Sequence, residues 1–118
     1  MEKFLKDYQE FVKSIAKKFD DPEKELMTWG LGISGEAGDV AGCIKKTISH
    51  KDGQLPGIKE NLGDTLWYIV AICNFYNWNL EDVIKENTDK LNKRYSEGVF
   101  TEKAACKRER IDWNENKK

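Results

Sequence analysis

From Ile58 to about Tyr76 the chain carries apolar residues on nearly every side of a helix, and no other segment of its 118 residues is as apolar. Such a helix has to be covered, and the segments available to cover it are short. Upstream, Phe4, Tyr8, Phe11, Val12, Ile15 and Phe19 recur at three- and four-residue steps and predict one helical stripe. Asp20-Asp21-Pro22 then supplies a capping carboxylate and a proline suited to the first helical position, with Glu23 and Glu25 near the positive helix end. A second helix is predicted from there along Leu26, Ile33, Ala37, Val40, Ile44 and Ile48, ending before a loop that holds Lys51-Asp52-Gly53 and Pro56-Gly57. The third runs from Ile58 to Tyr76, with Ile58, Leu62, Leu66, Ile69 and Cys73 on one side.

Asn79-Leu80-Glu81-Asp82 has the form of an N-cap followed by an acid, and opens a fourth helix expected to reach Tyr95 and stop near Gly98. Thr101 is placed to cap a short fifth helix through Ala104 and Ala105, whereas Lys107 to Lys118 has little to bury. The expectation is an all-α bundle of four to five helices forming one domain over residues 1–100, with a polar tail over 101–118. Because the third helix outruns its cover, the core is expected to be completed by homo-oligomerisation.

Charge narrows the partners. Twenty Lys and Arg against 21 Asp and Glu leave a net of −1, without the positive field that a nucleic-acid polymer or an anionic membrane attracts. The start, Met1-Glu-Lys-Phe-Leu-Lys-Asp, has charges where a signal peptide needs an apolar stretch, and no run approaches the ~18 apolar residues of a membrane span. A cytoplasmic protein is expected. Cys43, Cys73 and Cys106, with no Cys-x-x-Cys pair, read as reduced thiols used mostly for packing.

Gly30-Leu-Gly32-Ile-Ser-Gly35 fits the Gly-x-Gly-x-x-Gly string of dinucleotide-binding folds, but that motif needs a preceding strand, and Asp21 to Trp29 reads as a helix start. Gly38 and Gly42 extend the series. Each mid-helix glycine costs about 1 kcal/mol relative to alanine, so five imply that something approaches this backbone closely, a packed helix or a ligand. His50, the single histidine, suits the negative end of helix two; a Ser-His or Cys-His hydrolase would depend on it, and a histidine-rich metal site is excluded.

The chemistry concentrates in Glu36-Ala-Gly-Asp39 and Glu60-Asn61-Leu-Gly-Asp64. At about 100° per residue, each group falls on one helix face, and a hairpin of helices two and three turns the two acidic ridges towards each other. Beside Asp64 the same arc continues as Tyr68, Ala71, Ile72 and Phe75, which implies a covered side. Carboxylates gathered there repel and lose hydration unless a cation sits among them, and all-oxygen donors favour Mg²⁺, with Mn²⁺ as a substitute. Magnesium held by a few carboxylates commonly completes its shell with substrate phosphates. Helix four offers Asn87, Lys90, Lys93, Arg94 and Tyr95 within about two turns as a cluster suited to phosphate oxygens, and Trp29, Trp67 and Tyr68 stand near the acids as candidates to stack on a base.

Three blocks in order, Gly30 to Lys46 with Glu36-Ala-Gly-Asp39, then Leu62-Gly-Asp64-Thr-Leu-Trp-Tyr68, then Asn87-Thr-Asp-Lys90-Leu-Asn-Lys-Arg94, resemble the MazG-like branch of the all-α NTP pyrophosphohydrolases. The resemblance spans about Asp21 to Tyr95. It implies Mg²⁺-dependent cleavage of a nucleoside triphosphate between its α- and β-phosphates, and homodimers or homotetramers in which helices of two chains build each site. On the family pattern Glu-x-x-Glu followed by Glu-x-x-Asp, the resemblance makes Glu36, Asp39 and Asp64 metal ligands, with Asp39 a shortened glutamate. Asn61 stands where the pattern has its third glutamate; its carbonyl oxygen or the neighbouring Glu60 is left to serve. Asn87 and Lys90 match phosphate-contacting positions and Tyr68 one beside the nucleotide. In the mechanism that follows, Glu36 takes the proton of the attacking water, while Lys90 and Arg94 stabilise the departing pyrophosphate. The rival is a non-catalytic helical module that binds nucleotide or protein, its metal lost with the Asn61 substitution.

Overall fold

The structure, a computed structural model, describes residues 2–51, 53–96 and 98–106. Five helices follow one another, α1 (Glu2–Ile15), α2 (Pro22–Ser49), α3 (Leu55–Phe75), α4 (Leu80–Arg94) and α5 (Glu102–Cys106). There is no strand among the described residues, so the all-α expectation holds and the dinucleotide-binding string lies inside α2. Two compact units divide the chain, Met1–Leu80 and Glu81–Lys118. Asp52 of the expected loop and the tail from Lys107 to Lys118 lie outside the described residues.

Local chemistry sets the boundaries. The Asp21 carboxylate accepts the Glu23 N–H at 2.9 Å and caps α2, with Pro22 in its first turn. The His50 N–H donates to the Lys46 carbonyl and closes the other end. Helix α3 begins at Leu55 rather than Ile58. Pro56 was expected in the loop; it instead enters the first turn, where its missing N–H would have had no intrahelical partner. Helix α1 stops at Ile15, and Phe19 packs from beyond its end, its ring edge-on to Trp29 at 5.6 Å between centroids. Asn77 takes a left-handed conformation (φ 58°) after α3, and the Trp78 N–H returns to the Cys73 carbonyl at 2.8 Å, a Schellman-type ending.

In the first unit, α3 is the centre. It packs along α2 and, less extensively, on α1. Val12 and Val70 are fully enclosed, with Trp29, Ala71, Cys73 and Leu80 also buried. Burial pushes the Cys73 thiol above its usual range, which keeps it protonated as a packing group. Gln9 of α1 ties the end of α3 in place: its amide nitrogen donates to Asn74 Oδ1 (3.0 Å) and the Trp78 carbonyl (2.6 Å), and its amide oxygen accepts the Leu80 N–H (3.0 Å). Of the α3 side expected to be apolar, Cys73 is buried and Ile58 half-buried, but Leu62, Leu66 and Ile69 are exposed. In the second unit, Ala104 of α5 is buried; Thr101 caps that helix by accepting the Ala104 N–H at 3.0 Å.

Candidate active site

Helices α2 and α3 are joined by a short connection and run antiparallel. Two contacts fix their register. Tyr68 lies over Gly32, so that a β-carbon at position 32 would overlap the phenol ring, and a β-carbon at Gly57 would stand 3.3 Å from Cys43 Sγ. The same register sets Glu36 across from Asp64 and Asp39 across from Asn61. The register therefore turns the two acidic faces towards each other, without gathering their carboxylates around one point.

Glu36 is half-buried at the middle of this interface, whereas Asp39, Glu60 and Asp64 are exposed. The expectation of covered carboxylates is thus met at Glu36 and not at the other three. Loss of hydration, then the charges of Asp64, Asp39 and Glu60 in that order, raise the Glu36 carboxyl above the ordinary glutamate range. The four carboxylates are neighbours without forming a coordination sphere: among the described residues no three His, Cys, Asp or Glu side chains converge closely enough to hold an ion. In donor type the set fits a hard divalent cation, since it offers oxygen, negative charge and no imidazole.

Asn61, half-buried, donates from Nδ2 to Cys43 Sγ at 3.6 Å. Cys43 therefore borders the acids, a position that its reading as a packing thiol did not anticipate. Tyr8 of α1 was also missed as a site neighbour: burial and the Asp64 charge together push its phenol above the usual range. A hydroxyl-bearing residue within the Phe4 to Phe19 stripe was the one signal that could have marked it.

The aromatic candidates are placed as support. Trp29 is buried, edge-on to Trp67 at 5.5 Å and tilted against Tyr68 at 6.1 Å, and its indole N–H is held by Glu25 at 3.1 Å. Its ring has no open face for a base; it backs Tyr68, which is half-buried over Gly32. Of the five α2 glycines only Gly32 meets a close neighbour; a β-carbon at Gly30, Gly35, Gly38 or Gly42 would meet nothing within 4 Å beyond its own helix. The expected close approach is confined to one position because α3 covers only one side of α2. Asn87, Lys90 and Arg94 belong to the second unit, grouped on α4, with Asn87 exposed, Lys90 half-buried and Arg94 buried against Tyr95. Arg94 lines a cavity of about 80 Å³ with Ser96, Thr101 and Lys103.

A family model described as the MazG nucleotide pyrophosphohydrolase domain matches residues 4–99. The Gene 37 protein of Mycobacterium phage L5 is 34% identical over 75 residues, which cover 59% of this chain and 66% of that protein, so the match spans just under two thirds of the relative's length. No solved structure matches the chain. No helix among the described residues is long and apolar enough to cross a membrane.

Proposed function

The chain belongs to the MazG nucleotide pyrophosphohydrolase family, and from that premise we propose that it hydrolyses nucleoside triphosphates between the α- and β-phosphates, yielding the monophosphate and pyrophosphate. The observation that carries this reading is the α2–α3 register, which brings Glu36 and Asp39 of one helix opposite Asp64 and Asn61 of the other. Glu36, Asp39 and Asp64 are the residues that would hold Mg²⁺, or Mn²⁺ in its place, with Glu60 or the Asn61 carbonyl oxygen to complete the protein's share. When bound, the cation offsets triphosphate charge and makes a water more acidic.

Glu36 is the group assigned to receive the proton of the water that attacks the α-phosphorus. In the metal-free chain, loss of hydration and then the charges of Asp64, Asp39 and Glu60 raise its carboxyl above the ordinary glutamate range. Tyr68, seated by Gly32 and backed by Trp29 and Trp67, is assigned a place beside the nucleotide. Asn87, Lys90 and Arg94 are assigned to phosphate oxygens on charge and motif, Lys90 and Arg94 to the departing pyrophosphate. The exposed ridges of α2 (Met27, Leu31, Ile48) and α3 (Leu62, Leu66, Ile69) support a homodimer or homotetramer, since apolar surface of this extent favours burial.

The test is a panel of NTPs and dNTPs incubated with folded protein and Mg²⁺. Turnover of at least one, abolished by Glu36→Gln with helicity retained, supports the reading; absence of turnover across the panel rejects it. The second reading, a binding module without turnover, draws on Asn61, whose amide is engaged by Cys43. It predicts little Mg²⁺-dependent stabilisation, whereas the enzyme reading predicts a melting temperature that climbs with ion and nucleotide.

A further inference from the structure

Glu25, Trp29, Gly32 and Glu36 follow one another at four-, three- and four-residue steps, so they share one side of α2, the side on which Trp29 and Gly32 meet α3. The Trp29 indole is buried, and its N–H is a donor with no accepting counterpart on the ring. A buried donor needs an acceptor, and Glu25 Oε2 provides it at 3.1 Å. That bond fixes the setting of the ring in which it stands 5.5 Å from Trp67 and 6.1 Å from Tyr68 between centroids. Space for another setting lies beside it. Glu25 and Trp29 both line a cavity of about 210 Å³, with Lys13, Lys17 and Lys18 also on its wall. Lysine ammonium groups accept no hydrogen bond, and the Oδ1 of Asn74, another wall residue, already accepts from Gln9.

Resting on the reading that sets Tyr68 beside the nucleotide, we propose that Glu25 is a positioning residue: by holding the Trp29 indole against Tyr68, its carboxylate keeps the phenol ring seated over Gly32. Trp67 touches Tyr68 from the same helix and moves with it, so Trp29 is the support that α2 supplies. Loss of the Glu25 acceptor draws the indole N–H towards water in the cavity, which gives the ring room to turn. Tyr68 then loses its backing and leaves its place over Gly32 for part of the time. Glu25 itself touches no substrate in this account; its effect passes through the indole.

The experiment compares the full chain as wild type, Glu25→Ala, Glu25→Gln, Trp29→Phe and the Glu25→Ala/Trp29→Phe double variant, with folding checked by circular dichroism. Two readouts are taken: kcat and KM for the triphosphate that wild type turns over fastest with Mg²⁺, and the Tyr68 ring resonances of the chain without nucleotide or metal. Glu25→Ala is expected to raise KM about three- to tenfold, the scale of one hydrogen bond, with kcat nearly unchanged. Glu25→Gln keeps a carbonyl acceptor for the indole and restores most of the loss. On the Trp29→Phe background, where the donor is gone, the Glu25→Ala effect vanishes. The Tyr68 resonances shift in Glu25→Ala and return towards wild type in Glu25→Gln. Where Glu25→Ala fails to fold, Trp29→Phe, which removes the donor and keeps an aromatic ring, carries the same expectation for KM and for Tyr68. An unchanged KM, an equal loss on the Trp29→Phe background, or unmoved Tyr68 resonances overturns the proposal. Absence of turnover by wild type across the panel rejects the proposed function and this role with it; normal wild-type turnover with an unaffected Glu25→Ala rejects the role of Glu25 alone.

Discussion

The Tyr68 ring lies directly over the backbone of Gly32, in space that any β-carbon at that position would occupy. Two residues earlier, Gly30 faces open space. Gly32→Ala is therefore expected to cost about 1–3 kcal/mol through overpacking, offset in part by the better helix propensity of alanine. Gly30→Ala is expected to stabilise the isolated chain by up to about 1 kcal/mol. Urea midpoints of the two variants, moving in opposite directions from wild type, check this pair.

Gln9 fastens α1 to the end of α3 through three side-chain hydrogen bonds, two of them to backbone groups. Gln9→Ala leaves the Leu80 N–H and the Asn74 carboxamide without those partners, and an expected loss of about 1–3 kcal/mol follows. Gln9→Glu keeps the acceptor for Leu80 but replaces the donor to Asn74 and Trp78 with a carboxylate oxygen that both acceptors repel, so its melting temperature should fall at least as far as that of Gln9→Ala.

Folding should become less favourable as pH rises through the carboxylate range. In the folded chain, loss of hydration and then the charges of Asp64, Asp39 and Glu60 let the Glu36 carboxyl retain a proton that the unfolded chain releases. The folded state thus binds more protons over that interval, so the Glu36 contribution is fully present below the ordinary glutamate pKa and is lost as pH rises through the raised one. Stability measured by urea between about pH 4 and about pH 7 should decline more steeply for wild type than for Glu36→Gln. Parallel curves for the two would contradict the raised Glu36 carboxyl.

The uncovered side of α3 predicts self-association. Leu62 is 54% exposed and Leu66 42%, on the helix that forms the centre of the first unit. Light scattering at micromolar concentration is expected to return a dimer or tetramer for wild type and a smaller species for Leu66→Lys. A monomeric wild type would contradict the oligomer.

Sequence made some of these features legible and left others hidden, for physical reasons. The start of α2 could be read because Asp21 and Pro22 act within one turn. The start of α3 could not, because Pro56 serves a loop and a first helical turn equally well. Helical spacing placed Glu36 with Asp39 and Glu60 with Asp64, yet neither helix alone contains the register that opposes them; that is set by Tyr68 against Gly32 and Cys43 against Gly57. Spacing could not show that Trp29 is buried, since core and ligand-facing aromatics share one period. The Gln9 clamp and the Asn61–Cys43 bond join residues with no periodic relationship, and only the fold brings them together.

The central claim is that the opposed acids of α2 and α3 direct water to the α-phosphorus of a nucleoside triphosphate. Phosphorus NMR of a turned-over triphosphate with Mg²⁺ tests it most directly. The predicted products are monophosphate and pyrophosphate in equal amounts from wild type and neither from folded Glu36→Gln. Diphosphate and orthophosphate, or an unaltered product yield from Glu36→Gln, would contradict it.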